Sequence, residues 1–222
     1  AGTSAPLPAP VVADEAAARL PAAQTSPNDA PAARGRWSAA SLVLAAWLGV
    51  ALLLLARLGV AHLRVARLAR RGTPATDPRL AELLRARAAA LRITRPVRLI
   101  QAAGISVPLT WGVRRPVVLL PVDTFEWSDA RLGAVLTHEL AHVARRDALW
   151  QCLGQCALAL TWFHPLAWLA AARERAECER ACDDRVLRLG TRPTDYADDL
   201  LAFALRDVAP GAPLGASLAM AR

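Results

Sequence analysis

Two histidines and a glutamate in the segment 137–147 have residue types and a spacing that suit metal-dependent hydrolysis. His138 and His142 are four positions apart, and Glu139 directly follows the first histidine. If the segment is helical, both imidazoles lie on one face and can bind a single metal ion from the same side. Glu139 can then act as a base toward a metal-bound water. The pattern predicts a zinc peptidase site; the alternative is an ordinary helix whose few polar residues face water.

The third ligand is expected in the acidic stretch 173–184, because a catalytic zinc usually has three protein ligands. Glu179 and Asp183 are four residues apart and would share a helical face. Glu179 can bind the metal while Asp183 accepts the N–H of a ligating histidine and so fixes its ring. Glu174 and Glu177 are rival ligands, and a solvated charged helix without any ligand is the plain alternative.

Several other side chains capable of chemistry have less specific patterns. The four cysteines form two i,i+4 pairs, at 152 and 156 and at 178 and 182. They could form a four-thiolate zinc site, but buried free thiols in a reducing compartment are the favoured interpretation. His62 is interpreted as a surface residue. Tyr196, the only tyrosine, is a candidate oxyanion partner, although a packing role is favoured for it.

An uncharged segment from Trp37 to Ala56 predicts a membrane-spanning helix. Its twenty residues would extend about 30 Å as a helix, which is the thickness of a bilayer's hydrocarbon core. Five arginines follow within 57–71, whereas only Arg34 and Arg36 closely precede the segment. The positive-inside rule then places the C-terminal side in the cytoplasm. We expect a transmembrane helix over 37–63 in the cell (inner) membrane, followed by basic juxtamembrane and surface helices over 64–95.

The apolar pattern becomes strand-like in the segment that precedes the histidine motif. Short β-type runs at 97–101 and 117–120 are bounded by proline and glycine, which predicts a small sheet. Val117, Val118 and Leu119 are the candidates for an edge strand that binds an extended substrate through main-chain hydrogen bonds. A purely structural sheet is an equally good interpretation.

Helices are predicted on both sides of this sheet. An apolar stripe after Pro78 predicts a surface helix over 78–92, and Ser128 is a suitable N-cap for a helix over 129–145 that carries the histidines. The expected fold class is α+β, mainly α, with a membrane-anchored zinc peptidase domain at 96–208.

A second long uncharged run, Ala148–Ala172, constrains how the site is assembled. If it crossed the membrane once, His142 and Glu179 would lie on opposite sides and could not share a metal ion. Pro165 divides the run into helical arms of about 22 Å or less, each too short to cross. We therefore expect a helical hairpin, buried or dipping partly into the bilayer, that returns the chain to the site.

The chain ends and the net charge complete the organisation. Residues 1–36 are rich in Ala and Pro and predict a flexible segment, and 209–222 predict a loop or a truncated continuation. The net charge is +8, and all 27 basic residues are arginine. The arginines beside the membrane segment account for this charge more simply than nucleic-acid binding does, so no direct nucleic-acid partner is expected. Further membrane helices or a sensor domain could be missing from this chain.

Six motifs, taken in order, resemble one known family. They are Pro-Leu-Thr-Trp-Gly (108–112), Pro-Val-Val-Leu-Leu-Pro (116–121), His-Glu-Leu-Ala-His (138–142), Arg-Arg-Asp (145–147), Trp-Phe-His-Pro-Leu (162–166) and Glu-x-x-Cys-Asp (179–183). The combination is similar to the integral-membrane zinc metallopeptidases of the bacterial β-lactam sensor and antirepressor type, the BlaR/MecR family, over roughly residues 40–205.

The resemblance implies a gluzincin-like site with Zn²⁺ as cofactor. By similarity His138, His142 and Glu179 would bind zinc, Glu139 would be the base, and Asp183 would support a ligating histidine. The family usually has Asn where this chain has His164, which leaves open a second polar role near the zinc, although a structural role is favoured. Without lysine the chain has no Ser-x-x-Lys motif, so a β-lactam ligand is unsupported.

The resemblance and the expected orientation imply a membrane-bound zinc metalloendopeptidase that cleaves a cytoplasmic regulator. Its protein substrate would be a transcriptional repressor or a similar regulator, cut when a signal crosses the bilayer. One alternative is a quality-control zinc peptidase with broad membrane-protein substrates. The other is a catalytically silent signalling scaffold, against which the intact Glu139 argues.

Overall fold

The computed structural model describes residues 37–208 and, apart from them, Gly2. Within 37–208 the chain is mainly helical with a small mixed sheet, which confirms the expected α+β class. Its elements are α1 (Ala39–Arg71), β1 (Thr73–Pro74), α2 (Pro78–Ala90), β2 (Arg98–Gln101), β3 (Leu109–Trp111), β4 (Val117–Leu120), a 3-10 helix (Val122–Glu126), α3 (Asp129–Arg145), α4 (Asp147–Leu160), α5 (Pro165–Arg188) and α6 (Pro193–Val208). The predictions for 1–36 and 209–222 fall on residues outside this described range.

Helix α1 is one continuous helix of 33 residues, about 50 Å long at helical rise. Its most apolar 18-residue window has a mean hydropathy of 2.4, and only 6% of that window is buried against the rest of the chain. By length and composition it can cross a membrane. Its C-terminal part packs on the folded domain, because Val65 and Ala69 lie against the sheet. Gly72 ends the helix where a Cβ would collide with Ile100 and Gln101 of β2.

The sheet has the strand order β1-β2-β4-β3, with β2 and β4 parallel and the outer two pairs antiparallel. Side chains alternate between its faces. Val117 and Leu119 of β4 pack toward α1, whereas Val118 and Leu120 pack toward α2 and α3. Both faces are therefore covered, which explains why β4 is apolar at every position.

The prediction that residues 117–119 form an edge strand is wrong. β4 lies inside the sheet, and its main chain is paired with β2 on one side and β3 on the other. It has no free edge to offer to a substrate. The outer strand on this side is β3, whose three residues were not predicted as a strand because the run between Pro108 and Gly112 is too short to show a period.

The helix that carries the histidine motif begins and ends as predicted. Helix α3 spans Asp129–Arg145, and the Ser128 side chain accepts a hydrogen bond from the backbone N–H of Arg131. Eleven of its residues are buried, so it is the central helix of the domain. Helix α2 begins at Pro78 as expected but ends two residues early, at Ala90.

The predicted hairpin is present, with α4 and α5 as its arms and Pro165 at the start of the second arm. Gly154 lets the arms approach closely, because a Cβ there would lie 2.6 Å from a carboxylate oxygen of Glu174. Some of its apolar side chains are buried within the chain, such as Leu158 and Ala171, but many are not. Large ones are exposed along both arms and at the turn, namely Trp150, Leu153, Leu160, Phe163, Leu166, Trp168 and Leu169.

Candidate metal centre

Helices α3 and α5 bring His138, His142 and Glu179 together. The Nε2 atoms of the two histidines are 3.3 Å apart, and Oε2 of Glu179 is 3.4 Å from Nε2 of His138. Oε1 of the same carboxylate is 3.9 Å from Nε2 of His142. Two ligands that each lie about 2.0–2.1 Å from a tetrahedral zinc ion are about 3.3–3.4 Å from one another. These three side chains therefore have the spacing and chemistry of a zinc ligand set.

Glu139 is buried beside this cluster and is held by the outer strand of the sheet. The Thr110 hydroxyl, on β3, lies 2.7 Å from Oε2 of Glu139 and 3.0 Å from its main-chain oxygen. The side chain of Glu139 is thereby oriented by a neutral hydroxyl donor. Thr110 lies within the quoted Pro-Leu-Thr-Trp-Gly motif, but sequence alone gave it no role.

Asp183 and Tyr196 lie on the opposite side of the His138 ring from Glu179. Oδ1 of Asp183 is 3.1 Å from Nδ1 of His138, and the Tyr196 hydroxyl donates to the same carboxylate at 2.7 Å. The structure thus places Asp183 where the sequence analysis expected it, next to a histidine. Burial and the contact with Asp183 raise the pKa of Tyr196, so it stays a neutral phenol.

Tyr196 therefore has both a packing role and a polar role. Its ring packs with Ala134 and Val186, and its hydroxyl is 3.0 Å from Nδ1 of His138. That nitrogen is the one that faces away from the metal-ligand cluster. The hydroxyl is committed to Asp183 and His138, so the structure does not place it as an oxyanion partner.

His142 has a corresponding carboxylate that the sequence analysis missed. Oδ2 of Asp147 lies 2.9 Å from Nδ1 of His142, and Asp147 is only 3% exposed. Asp147 is five residues beyond His142, which is not a same-face helical spacing. The contact forms because Arg146, between α3 and α4, adopts a left-handed conformation (φ 61°, ψ 36°) that turns the chain back. In the sequence, the Arg-Arg-Asp motif (145–147) was the only indication that Asp147 has a role at the site.

The charges around His138 favour a bound cation. Burial alone would lower the pKa of His138, but hydrogen bonds to Asp183 and Glu179 and the charge on Glu139 raise it to about 10. Burial would raise the pKa of Asp183, yet the hydrogen bonds from His138 and Tyr196 lower it. Three carboxylates around one imidazole stabilise positive charge at this point, as a divalent ion requires.

A second group of possible ligands shares His142 and consists of that residue, Asp147 and Cys182. Sγ of Cys182 is 3.4 Å from Nδ1 of His142. However, Nδ1 is already in contact with Asp147, and burial and nearby carboxylates raise the pKa of the Cys182 thiol. A metal binds the thiolate form, so this group is the weaker candidate. Among the described residues the four cysteines do not form one metal cluster; Cys178 and Cys182 are buried, and Cys152 and Cys156 are half-buried.

Three of the remaining polar candidates lie away from the ligand cluster. Glu177 is paired with Arg180 on the outer face of α5, and Glu174 lies against Gly154 of α4. His164 lies at the turn of the hairpin, fifteen residues and about 22 Å along α5 from Glu179. This separation argues against the polar role beside the metal site that the resemblance left open for His164. His62 is exposed on α1, as expected, but it also lines the cleft that contains His142 and Glu179.

A cleft extends from the ligand cluster to the side of α1. It is lined by Leu58 and Val65 of α1, Thr110 and Trp111 of β3, and Gln151 of α4. The cleft is largely apolar away from the ligands, and β3 forms one wall of it. The outer strand of the sheet therefore reaches the site where β4 does not.

Several known proteins are similar to this chain. A family model described as BlaR1 peptidase M56 matches residues 5–222. The chain is 36% identical over 99 residues to the regulatory protein BlaR1 of Bacillus licheniformis, covering 44% of this chain and 16% of that protein. It is 26% identical over 92 residues to the methicillin resistance mecR1 proteins of Staphylococcus aureus (strain Mu50) and Staphylococcus epidermidis, covering 41% of this chain and 16% of each. The matched region is thus a small part of each relative.

Proposed function

The chain belongs to the BlaR1 peptidase M56 family, and we propose that it is a membrane-bound, zinc-dependent endopeptidase. The observation that carries this proposal is the triangle of His138, His142 and Glu179, with separations of 3.3–3.9 Å. The adjacent Glu139 has the position and the ionisable oxygen that a general base needs.

Each residue has a distinct part in the proposed hydrolysis. A zinc ion held by His138, His142 and Glu179 would supply a Lewis acid that polarises a peptide carbonyl and makes water more acidic. Glu139 accepts the proton of the attacking water and then gives it to the departing amine. Thr110 keeps the Glu139 carboxylate aimed at the reacting atoms. Asp183 and Asp147 accept the Nδ1–H of the two histidines and so direct both Nε2 atoms toward the metal.

The proposed substrate is an extended polypeptide bound along β3. Within the described range 37–208, strand β3 pairs with β4 on one side only, and its residues Thr110 and Trp111 line the cleft. An extended peptide can add to such an edge through main-chain hydrogen bonds. The relatives are regulatory and resistance proteins by name, which supports a cytoplasmic regulator, such as a transcriptional repressor, as the substrate of this chain.

Metal analysis of the detergent-purified protein tests the ligand set. We expect about one zinc per chain in the wild type and in Glu139→Gln. Glu179→Ala should lose or weaken zinc binding, whereas Glu177→Ala, two residues away on the same helix and paired with Arg180, should retain it. Peptide hydrolysis should disappear in Glu139→Gln while zinc is kept. A wild-type protein that takes up no zinc when the metal is supplied would refute the proposal.

Orientation and substrate need separate experiments in cells. A reporter inserted at residue 95, between α2 and β2, should be inaccessible from outside intact cells if the domain is cytoplasmic. New protein N-termini that appear with the wild type and not with Glu139→Gln would identify the substrate. Cleavage restricted to one regulator supports the proposal; broad cleavage of unfolded membrane proteins would favour a quality-control role instead.

A further inference from the structure

We propose that the α4–α5 hairpin is re-entrant: its turn inserts into the hydrocarbon core of the bilayer beside α1, to about half the membrane's thickness. The hairpin tip, defined here as residues 158–169, enters from the side on which the zinc site lies and returns to that side. This inference rests on membrane attachment through α1 and not on the peptidase reaction.

The first observation is a direct contact between the tip and the apolar half of α1. Nε1 of Trp47 donates to the main-chain oxygen of Leu160 at 3.2 Å, and Nε1 of Trp162 donates to the main-chain oxygen of Trp47 at 3.3 Å. Trp47 lies inside the uncharged part of α1, ten residues before Arg57. The tip therefore lies at the same depth as Trp47. If α1 crosses a bilayer, the tip lies inside the bilayer beside it.

The distance from the tip to the nearest charged residue indicates a similar insertion depth on α1 and on α5. Along α1, the ten residues from Trp47 to Arg57 correspond to about 15 Å. Along α5, the eight residues from Pro165 to Arg173, its first charged residue, correspond to about 12 Å. Both values are about half of the ~30 Å hydrocarbon thickness. The hairpin is thus too short to cross and long enough to reach the middle.

The main-chain oxygens of residues 160–162, in the turn, accept hydrogen bonds from the protein, which lowers the cost of placing a non-helical turn inside hydrocarbon. The oxygens of Leu160 and Trp162 accept hydrogen bonds from the indoles of Trp47 and Trp168, respectively. The oxygen of Thr161 accepts from the main-chain N–H of His164. The Thr161 hydroxyl donates to the oxygen of Ala157 at 2.8 Å. Tryptophan side chains here bond to main-chain oxygens that would otherwise bond to water.

The side chains on the outside of the tip have the composition of a lipid-facing surface. Phe163, Leu166 and Leu169 are 62%, 63% and 51% exposed, and each would be costly to leave in water. The apolar surface continues onto exposed residues of α1 such as Leu52 and Leu53. His164 is the one ionisable residue of the tip. Lipid hydrocarbon is the occupant that matches a continuous apolar surface formed jointly with a membrane-spanning helix.

The insertion fixes where the zinc site lies relative to the membrane. Glu179 is fourteen residues, or about 21 Å, from Pro165 along α5. With about 12–15 Å of the hairpin inserted, the ligand cluster lies about 6–9 Å on the aqueous side of the hydrocarbon boundary. Substrate segments would then have to approach the membrane surface to reach the site.

Depth-dependent quenching in reconstituted vesicles tests the proposal. Phe163→Cys, Leu166→Cys, Leu44→Cys and Thr194→Cys are made one at a time in a background with Cys152→Ser and Cys156→Ser that keeps the buried Cys178 and Cys182. Each variant is labelled with the fluorophore NBD in detergent, with the unsubstituted background as the labelling blank, and is then placed in phosphatidylcholine/phosphatidylglycerol vesicles. Leu44 is on α1 near Trp47, and Thr194 is exposed at the start of α6. Quenchers are lipids with a spin label at different acyl-chain depths and aqueous iodide.

We expect mid-chain spin labels to quench the fluorescence at positions 163 and 166 as strongly as at position 44. Aqueous iodide should quench the fluorescence at these positions only weakly. The Thr194 label should show the reverse pattern. Strong iodide quenching at the tip, as at Thr194, would overturn the proposal by placing the tip in water. Protection of the tip from both quenchers would also overturn it, because protein would then cover the surface. Failure of lipid quenching at Leu44 would instead refute membrane attachment through α1.

Discussion

Nδ1 of His142 lies 2.9 Å from Oδ2 of Asp147, across the break between helices α3 and α4. The two residues meet because Arg146 takes a left-handed backbone conformation and reverses the chain within one residue. Asp147 is nearly completely buried and also contacts Nε of Arg145 at 3.2 Å. One turn therefore holds a carboxylate behind an imidazole of the proposed metal site and pairs that carboxylate with an arginine.

Replacement of Asp147 by alanine should weaken zinc binding. Removal of a carboxylate that orients a ligating histidine typically reduces metal affinity about 10–100-fold. The affinity can be measured by competition with a chromogenic chelator. The matched control is Cys182→Ala, since Cys182 also contacts His142 but is not expected to bind the metal. Unchanged zinc binding in Asp147→Ala would contradict this positioning role, whereas loss of zinc in both Asp147→Ala and Cys182→Ala would show that the metal occupies the group formed by His142, Asp147 and Cys182.

Thr110 is expected to act through Glu139. Thr110→Val keeps the shape of the side chain and removes the hydrogen bond to Oε2 of Glu139. A hydrogen bond to a charged group contributes about 1.5–3 kcal/mol, so we expect kcat to fall at least about tenfold while zinc content and KM change little. Thr110→Ser restores the hydroxyl and should recover most of the rate. Loss of zinc in Thr110→Val, or no recovery in Thr110→Ser, would indicate a structural role for this residue.

Sequence was sufficient for features that depend on local spacing. The helix over 129–145 follows from a capping serine and an apolar period, and the pairing of Glu179 with Asp183 follows from the four-residue repeat. The break at Pro165 follows from the geometry of proline. The mainly helical fold could be predicted because most contacts within it obey these short-range rules.

Sequence was insufficient where residues distant in the chain, or an unusual backbone conformation, decide the contact. β4 was taken for an edge strand because its apolar run does not reveal that β3 pairs beside it. Thr110 reaches Glu139 over 29 positions. Asp147 reaches His142 only through a positive φ at an arginine, a conformation for which the sequence would have suggested glycine.

The metal-free protein should lose stability as the pH rises above neutrality. The pKa of His138 is raised from 6.5 to about 10 in the folded state, because contacts with Asp183 and Glu179 outweigh burial. A group whose folded pKa is raised contributes its full stabilisation below the unfolded value, near pH 6.5, and loses it as the pH rises through about 10.

Thermal unfolding of the chelator-treated protein between pH 6.5 and 10 provides the measurement. We expect the midpoint to fall by several degrees, since 1 kcal/mol corresponds to about 2–4 °C for a domain of this size. Asp183→Asn removes the charge beside His138 and should flatten this dependence. An equally steep fall in Asp183→Asn would assign the effect to other groups.

A substitution at Arg146 tests whether the junction between α3 and α4 needs the arginine side chain or only the left-handed backbone conformation. A left-handed conformation costs a non-glycine residue about 1–2 kcal/mol, a penalty that glycine avoids. Arg146 is exposed, so Arg146→Gly should keep zinc binding and leave the unfolding midpoint unchanged or raise it by up to a few degrees.

The matched control is Ala144→Gly, two residues earlier on the same exposed surface but within helix α3. There glycine should destabilise the protein by about 1 kcal/mol. Equal destabilisation by both substitutions would show that the Arg146 guanidinium, and not only the shape of the turn, stabilises the junction that brings Asp147 to His142.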